Sequence, residues 1–263
     1  RADHWYRRAR DLGSFDAAAM LDAVEEHGTV LLELRQLDAA RDAFEEVLWR
    51  AEATDPGRAD LAVAHLGAVA RLQGDADAAR DRFETATDRL VERGDLAGQV
   101  AVLRLQGWAE ITAGRPRAAL PRLRRAERIE AELTEPERRG ETLRLLGWCE
   151  FLSGDLAAAQ AHLWSAMAHS ADAGDDGSVG WCFGLLAQSF LYAGKVAQSR
   201  EVAGNLRDVA RRYGDSWGEW TCAVLDAAGL VAHIVEEQNS PSGRFIWDTV
   251  EHAIPYVGEG GKP

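Results

Sequence analysis

Two groups of side chains in this sequence have the types that could support metal or thiol chemistry. His162 and His169 lie seven positions apart, so on one helix they could share a face and offer imidazole nitrogens to a metal ion. Two helical turns is a long separation for a metal site without a third ligand. Cys149, Cys182 and Cys222 form no CxxC pair, and no histidine stands beside them in the sequence. We therefore expect partly exposed histidines and small buried cysteines rather than a metal site or a thiol nucleophile.

Enzymatic motifs give no stronger indication. The sequence contains no HExxH, GxSxG or GxGxxG, and the GEGGK near its end lacks the Ser or Thr of a phosphate-binding loop. The stretch DAGDDG at 172–177 resembles the start of a calcium loop, but Phe183 stands where such a loop needs a glutamate. We therefore predict no catalytic residue, no metal site and no cofactor.

Binding chemistry is suggested instead by two related octapeptides, LRLQGWAE at 103–110 and LRLLGWCE at 143–150. Each places an arginine four positions before a tryptophan, so Arg104 and Trp108, and likewise Arg144 and Trp148, share one helix face. A guanidinium over an indole ring contributes about 0.5–2 kcal/mol, and it also presents a fork of donors to carboxylates. Two such pairs would suit a peptide with acidic and aromatic or apolar side chains.

A packing role for the same residues is the alternative. Tryptophan fills space well, and each ring could hold neighbouring repeats apart. The arginines would then meet carboxylates of the chain itself, for which the candidates are Glu110, Glu141 and Glu150.

The spacing of the octapeptides extends along most of the chain as a period near 40. Small residues recur at Gly28, Gly67, Gly107, Gly147, Ala187 and Ala227, and we call these positions the anchors. Seven positions after successive anchors stand Gly74, Gly114, Gly154 and Gly194. Such a period indicates stacked units of two helices, with the second glycine ending the first helix and a following Asp or Pro starting the second.

This pattern resembles the tetratricopeptide repeat (TPR) over roughly residues 17–213, in a long-period form similar to the arrays of bacterial multidomain regulators. The resemblance rests on Leu66-Gly67 and Leu146-Gly147, on the turn glycine, and on the small residues of the second helix. It implies an all-α, right-handed superhelical solenoid of about five to six repeats, whose first helices line a concave surface. Carried over position by position, it implies a ligand-binding face made of Arg104, Trp108, Glu141, Arg144, Trp148, Trp181 and Tyr192.

The same pattern predicts twelve to thirteen helices and almost no strand. First helices are expected near 60–73, 98–113, 139–153 and 179–193, and second helices near 76–92, 116–132, 156–172 and 196–212. We expect residues 1–16 to form a partial repeat or a cap helix, 17–216 five repeats, and 217–263 a degenerate sixth repeat with a capping helix and a mobile tail. Tyr6 and Ala9 fit a second helix and the chain starts at Arg1, which suggests a piece of a longer protein.

Composition narrows the classes of partner. The 263 residues are 46% hydrophobic and carry a net charge of −13, which argues against general binding to nucleic acid or to anionic membranes. No apolar run is long enough to span a bilayer, no signal peptide opens the chain, and an odd number of cysteines suits a reducing cytoplasm.

The basic run RPRAALPRLRR at 115–125 is interpreted as a solvated helix face, with a docking patch for an acidic partner as the alternative. The sequence therefore favours a non-catalytic scaffold that binds a protein or peptide segment, with a sensor of a small molecule or signalling peptide as the alternative.

Overall fold

The described part of this computed structural model comprises residues 17–133 and 139–237, and it is entirely helical. Within these residues there are eleven α-helices and no strand. In chain order they are α1 Ala17–Glu33, α2 Leu37–Ala51, α3 Pro56–Leu72, α4 Ala76–Glu92, α5 Leu96–Thr112, α6 Pro116–Glu130, α7 Arg139–Ser153, α8 Leu156–Asp172, α9 Asp176–Tyr192, α10 Val196–Tyr213 and α11 Ser216–Glu237.

The helices are arranged as consecutive pairs, as the period predicts. First helices pack against the second helix of their own repeat at α1 and α2, α3 and α4, α7 and α8, and α9 and α10. First helices of successive repeats also touch, namely α3 with α5, α7 with α9 and α9 with α11. The predicted helix at Tyr6 and the predicted capping helix FIWDTVEHAI lie outside the described residues.

Glycine at the turn between paired helices has the conformation that the pattern requires. Gly74, Gly154 and Gly194 have φ of 89°, 87° and 74°, in the left-handed region that ends a helix at little cost for glycine. In the first repeat the equivalent position is Arg35, which adopts φ 59° and donates from its guanidinium to the Thr112 carbonyl at 2.9 Å.

Aspartate after the turn caps the next helix, as predicted. The carboxylates of Asp75 and Asp155 accept hydrogen bonds from the backbone N–H groups of Ala78 and Ala158 at the starts of α4 and α8. Such caps satisfy backbone donors that a helix start leaves unpaired, and each contributes about 0.5–2 kcal/mol. Pro116 occupies the first position of α6, where a missing N–H costs nothing.

The anchor glycines allow close approach of the two helices in a repeat. A Cβ atom added to Gly147 would lie 2.6 Å from Leu163 Cγ, and one added to Gly28 would lie 2.8 Å from Phe44 Cε1. At Gly67 the corresponding approach, to the Phe83 ring, is 3.3 Å. In all three repeats the large side chain lies sixteen positions after its anchor. The period therefore follows a packing rule, in which a small anchor contacts the large side chain sixteen positions later.

The chain divides into two compact units. One contains residues 17–113 and 128–133 of the described chain, and the other contains 114–127 and 139–237. The first has a core around Leu31, Phe44 and Val69, and the second has one around Leu163, Leu186 and Leu191. None of the described helices is both long enough and apolar enough to cross a bilayer.

Candidate functional site

Two first helices of the second unit, α7 and α9, bring together five side chains that we call the α7–α9 face. They are Arg144, Trp148 and Phe151 from α7, and Trp181 and Tyr192 from α9. The α7 residues follow the i, i+4, i+7 spacing that aligns side chains along one side of a helix. The four aromatic residues are partly exposed and pack with their inner surfaces against the core of this unit.

Aromatic contacts link the two helices of this face. The Trp148 and Trp181 rings meet edge to face, with centroids 5.2 Å apart and planes at 65°. Phe151 and Tyr192 form a second such pair at 5.6 Å and 85°. Edge-to-face pairs of this kind contribute about 0.5–1.5 kcal/mol beyond area burial. The face is therefore held in shape by the aromatic side chains that also form its surface.

Arg144 is the cation of this face. Its guanidinium carbon lies 5.4 Å from the centroid of the Trp181 ring. The predicted partner was Trp148, four residues along the same helix, but the guanidinium is placed over the tryptophan of the next first helix instead. Trp148 contributes indirectly, because its ring packs against the same Trp181 ring.

The hydrogen-bonding capacity of Arg144 is incompletely used. Its Nε atom is buried and has no hydrogen-bond partner among the residues that the structure describes. Leaving a buried donor without a partner costs about 1–3 kcal/mol. The Trp181 ring does not satisfy this donor, and an oxygen from outside the chain would reach it only if the guanidinium turned towards that oxygen.

The other predicted pair, Arg104 and Trp108 on α5, belongs to the first unit. Arg104 is 9% exposed, and its Nη1 lies 3.6 Å from the buried Glu130 carboxylate. Trp108 is partly buried and packs against the core of the first unit. Arg104 therefore has an acidic partner from the chain, whereas Arg144 lies over an aromatic ring.

The carboxylates considered as partners of these arginines have other roles. Glu110 lies 3.2 Å from Nε of Arg71, within the first unit. Glu150 is buried and accepts a 2.6 Å hydrogen bond at its Oε2 from Nδ1 of His162. Glu141, the third carboxylate considered, lies in the first turn of α7 and is partly exposed.

His162 interacts with two carboxylates of the chain, and the three cysteines are buried. His162 lies 3.9 Å from Glu127 and is bonded to Glu150, and that hydrogen bond raises its pKa. His169 is exposed, and no three metal-binding side chains come together in the described residues. Burial raises the pKa values of Cys149 and Cys182 to about 12, so both thiols stay protonated and unreactive near neutral pH.

Sequence reasoning missed two contributors. Phe151 is not among the residues singled out from the sequence, although its spacing of three from Trp148 places it on the same helix side. The buried acid Glu150, held between His162 and Arg124, was recognised only as a candidate partner of an arginine. Nothing in a single sequence marks a glutamate as buried, because that depends on the neighbouring helices.

Comparison with known proteins supports the repeat architecture. Residues 57–132 match the tetratricopeptide repeat family. The structure is similar to that of aspartyl phosphate phosphatase F from Bacillus subtilis, with a TM-score of 0.66, 13% identity, and coverage of 93% of this chain and 73% of that one. It is also similar to a Rap protein in complex with competence and sporulation factor, with a TM-score of 0.64, 12% identity, and 90% and 75% coverage.

A further similar structure is the STAND signal-transduction ATPase with a tetratricopeptide repeat sensor from Pyrococcus horikoshii. Its TM-score is 0.61 at 13% identity, with 92% of this chain but only 39% of that one covered. No curated protein has a sequence significantly similar to this chain. At such low identities the structural comparisons establish the fold alone. Residues 57–132 match the tetratricopeptide repeat family, and the period near 40, the helix pairs and the anchor packing show that the other described repeats have a tetratricopeptide-like fold.

Proposed function

We propose that the chain is a non-catalytic scaffold whose α7–α9 face binds a protein or peptide segment. The segment would present a carboxylate to Arg144 and an apolar or aromatic side chain to the Trp148 and Trp181 rings. Binding of this kind needs no cofactor and fits an acidic chain, because the face itself contains a cation and aromatic surface.

The observation that carries this proposal is the state of Arg144. Its guanidinium lies over the Trp181 ring, and its buried Nε is left without a hydrogen-bond partner in the described residues. A ligand carboxylate would pair with the partly exposed guanidinium of Arg144 in a partly desolvated place, where a charge-assisted hydrogen bond is strong. The edge-to-face pairs hold the aromatic surface in place before binding, which lowers the entropy lost on association.

The structural neighbours support a regulatory setting. One neighbour was solved in complex with competence and sporulation factor, and another is described as having a repeat sensor within a signal-transduction ATPase. By analogy, we place this chain in a larger bacterial regulatory protein of the cytoplasm. The same neighbours favour a second candidate, in which the repeats sense a signalling peptide or small molecule for an attached effector domain.

Calorimetric titration with two short peptides tests the first candidate. The probe is an acetylated, amidated decapeptide of alternating glutamate and phenylalanine, and its control has glutamine in place of glutamate. We expect the acidic peptide to bind at least tenfold more tightly than the control, and Arg144→Gln to remove that preference. Arg211→Gln, which changes an exposed arginine on α10, should leave it unchanged. Equal binding of both peptides, or a preference that survives Arg144→Gln, would overturn the proposal.

A further inference from the structure

The outward faces of the second helices differ sharply in charge at equivalent positions. The positions in question lie ten, fourteen and seventeen residues after each anchor, and all are exposed except Gly204, which is partly exposed. They are Asp38, Asp42 and Glu45 on α2; Asp77, Asp81 and Glu84 on α4; Arg117, Pro121 and Arg124 on α6; Ala157, Ala161 and Trp164 on α8; and Ala197, Glu201 and Gly204 on α10. The same repeat positions are thus acidic on α2 and α4 of the first unit, and basic on α6 and uncharged on α8 of the second unit.

Among the described residues, the arginines of α6 also form fewer ion pairs than those of α2, α3 and α4. Arginines of α2, α3 and α4 form ion pairs with nearby carboxylates, as Arg50 does with Glu46 and Arg71 with Glu110. On α6, the side chain of Arg124 is 58% exposed, and its Nη2 lies 3.8 Å from Oε1 of Glu150, a longer separation than in those pairs. Arg117 and Arg125 are exposed, and within the described residues neither forms an ion pair. A chain of net charge −13 therefore holds a local group of cations that its own carboxylates neutralise only in part, through Glu150 beside Arg124.

The uncharged row on α8 belongs to the same unit as this part of α6. His162 of α8 lies 3.9 Å from Glu127 of α6 and connects the two helices. Trp164 is 40% exposed in the midst of exposed alanines, so its ring is accessible on a surface without charge. Neighbouring packed helices lie about 8–10 Å apart, so a single docked helix could reach both rows.

We propose that this α6–α8 surface docks an acidic amphipathic helix of a partner protein. Arg117 and Arg124 are separated by seven residues, about 10 Å along a helix, so carboxylates at i and i+7 of the partner would meet both guanidinium groups. An apolar side chain next to that acidic row would cover Trp164. The surface is separate from the α7–α9 face, because it is built from second helices, and its occupant does not depend on the function proposed for that face.

A designed helix serves as the probe. It is a fluorescein-labelled, capped 18-residue alanine-based peptide with glutamates at i and i+7 and leucines on the adjacent side, and its control carries glutamine at both acidic positions. Binding to the whole chain is followed by fluorescence anisotropy at 50 mM and 300 mM salt. We expect the acidic peptide to bind at least tenfold more tightly than the control, and to weaken severalfold at the higher salt.

Variants locate the binding. The double substitution Arg117→Glu and Arg124→Glu should weaken the acidic peptide at least tenfold and favour a peptide with lysines at i and i+7. Trp164→Ala should weaken both the acidic and the glutamine peptides, whereas Arg211→Glu and Trp148→Ala should leave the affinity unchanged. The α6 changes are at exposed positions, so the variants should fold. Thermal melts check that they do.

Three outcomes would overturn the proposal. One is equal affinity for the acidic and glutamine peptides, and another is affinity that the α6 double variant does not alter. The third is concentration-dependent self-association, abolished by the double variant, in a chain that binds no acidic peptide. That result would make the acidic row of a second copy the occupant instead.

Discussion

The guanidinium of Arg144 lies over the indole ring of Trp181, on the neighbouring first helix, with 5.4 Å between guanidinium carbon and ring centroid. This contact joins two successive repeats, so the position of the cation depends on how α7 and α9 pack. The ring attracts the guanidinium although no carboxylate of the described residues forms an ion pair with it. Because a cation–π contact uses the charge and not the N–H groups, the guanidinium can also donate to an acceptor.

Trp148→Ala should affect binding more than stability. The Trp148 ring is partly exposed, but it packs on Trp181 and on the core of its unit, so its loss should cost about 1–2 kcal/mol rather than the 3–5 kcal/mol typical of a fully buried aromatic residue. Chemical denaturation of Trp148→Ala, compared with Trp164→Ala on the outer face, measures it. A loss of several kcal/mol would identify Trp148 as a packing residue.

Substitution of two glycines of the second unit should have opposite effects. Gly147→Ala places a methyl group 2.6 Å from Leu163 and 3.2 Å from the Ala159 carbonyl, so we expect a loss of about 1–3 kcal/mol from overpacking. Gly204→Ala on α10 meets nothing within 4 Å and should gain about 0.5–1 kcal/mol, because alanine loses less entropy in a helix. Denaturant unfolding of both variants tests this pair. A Gly147→Ala protein as stable as the wild type would refute the packing rule for the anchors.

Much of the fold follows from the sequence because its rules are local. Helix ends depend on residues such as Gly154 and Asp155, whose conformational and capping preferences act within one turn of the chain. The close packing at Gly147 was predictable because the period repeats it. The partner of Arg144 was not predictable, since it is set by the relative rotation of α7 and α9, and the burial of Glu150 likewise requires neighbouring helices.

His162 should make stability decrease as the pH rises above about 6.5. The hydrogen bond to Glu150 raises the pKa of His162 above its usual value near 6.5, with Glu127 adding to the shift and burial opposing it, and Arg124 also faces Glu150. A raised pKa in the folded state means that the stabilisation is complete below about pH 6.5 and is lost as the pH rises through the folded-state pKa. Melting temperatures of wild type and His162→Gln should differ more at pH 6 than at pH 8.5. His169→Gln, at an exposed position, is the control, and a gap that does not narrow with rising pH would contradict the assignment.

His65 should make stability depend on pH in the opposite direction, with a loss as the pH falls. Its ring stacks on Phe44 with centroids 4.4 Å apart, and burial lowers its pKa from 6.5 to about 4. Because the folded state resists protonation, this group's contribution is complete above about pH 6.5 and falls as the pH drops towards 4, by up to about 3 kcal/mol. Denaturant unfolding at pH 7.5 and pH 5 should show wild type losing more stability than His65→Leu. Equal losses in the two proteins would show that His65 titrates normally when folded.

The most direct test of the proposed binding face is Arg144→Met, measured for both stability and affinity for the glutamate–phenylalanine decapeptide. The buried Nε of Arg144 has no hydrogen-bond partner in the described residues, which costs stability. If Arg144 serves ligand binding, an apolar side chain of similar length should leave the protein as stable as the wild type or more stable. We therefore expect a melting temperature at or above that of the wild type, together with at least tenfold weaker binding of the peptide. A markedly lower melting temperature with unchanged peptide affinity would show that Arg144 stabilises the fold and takes no part in binding.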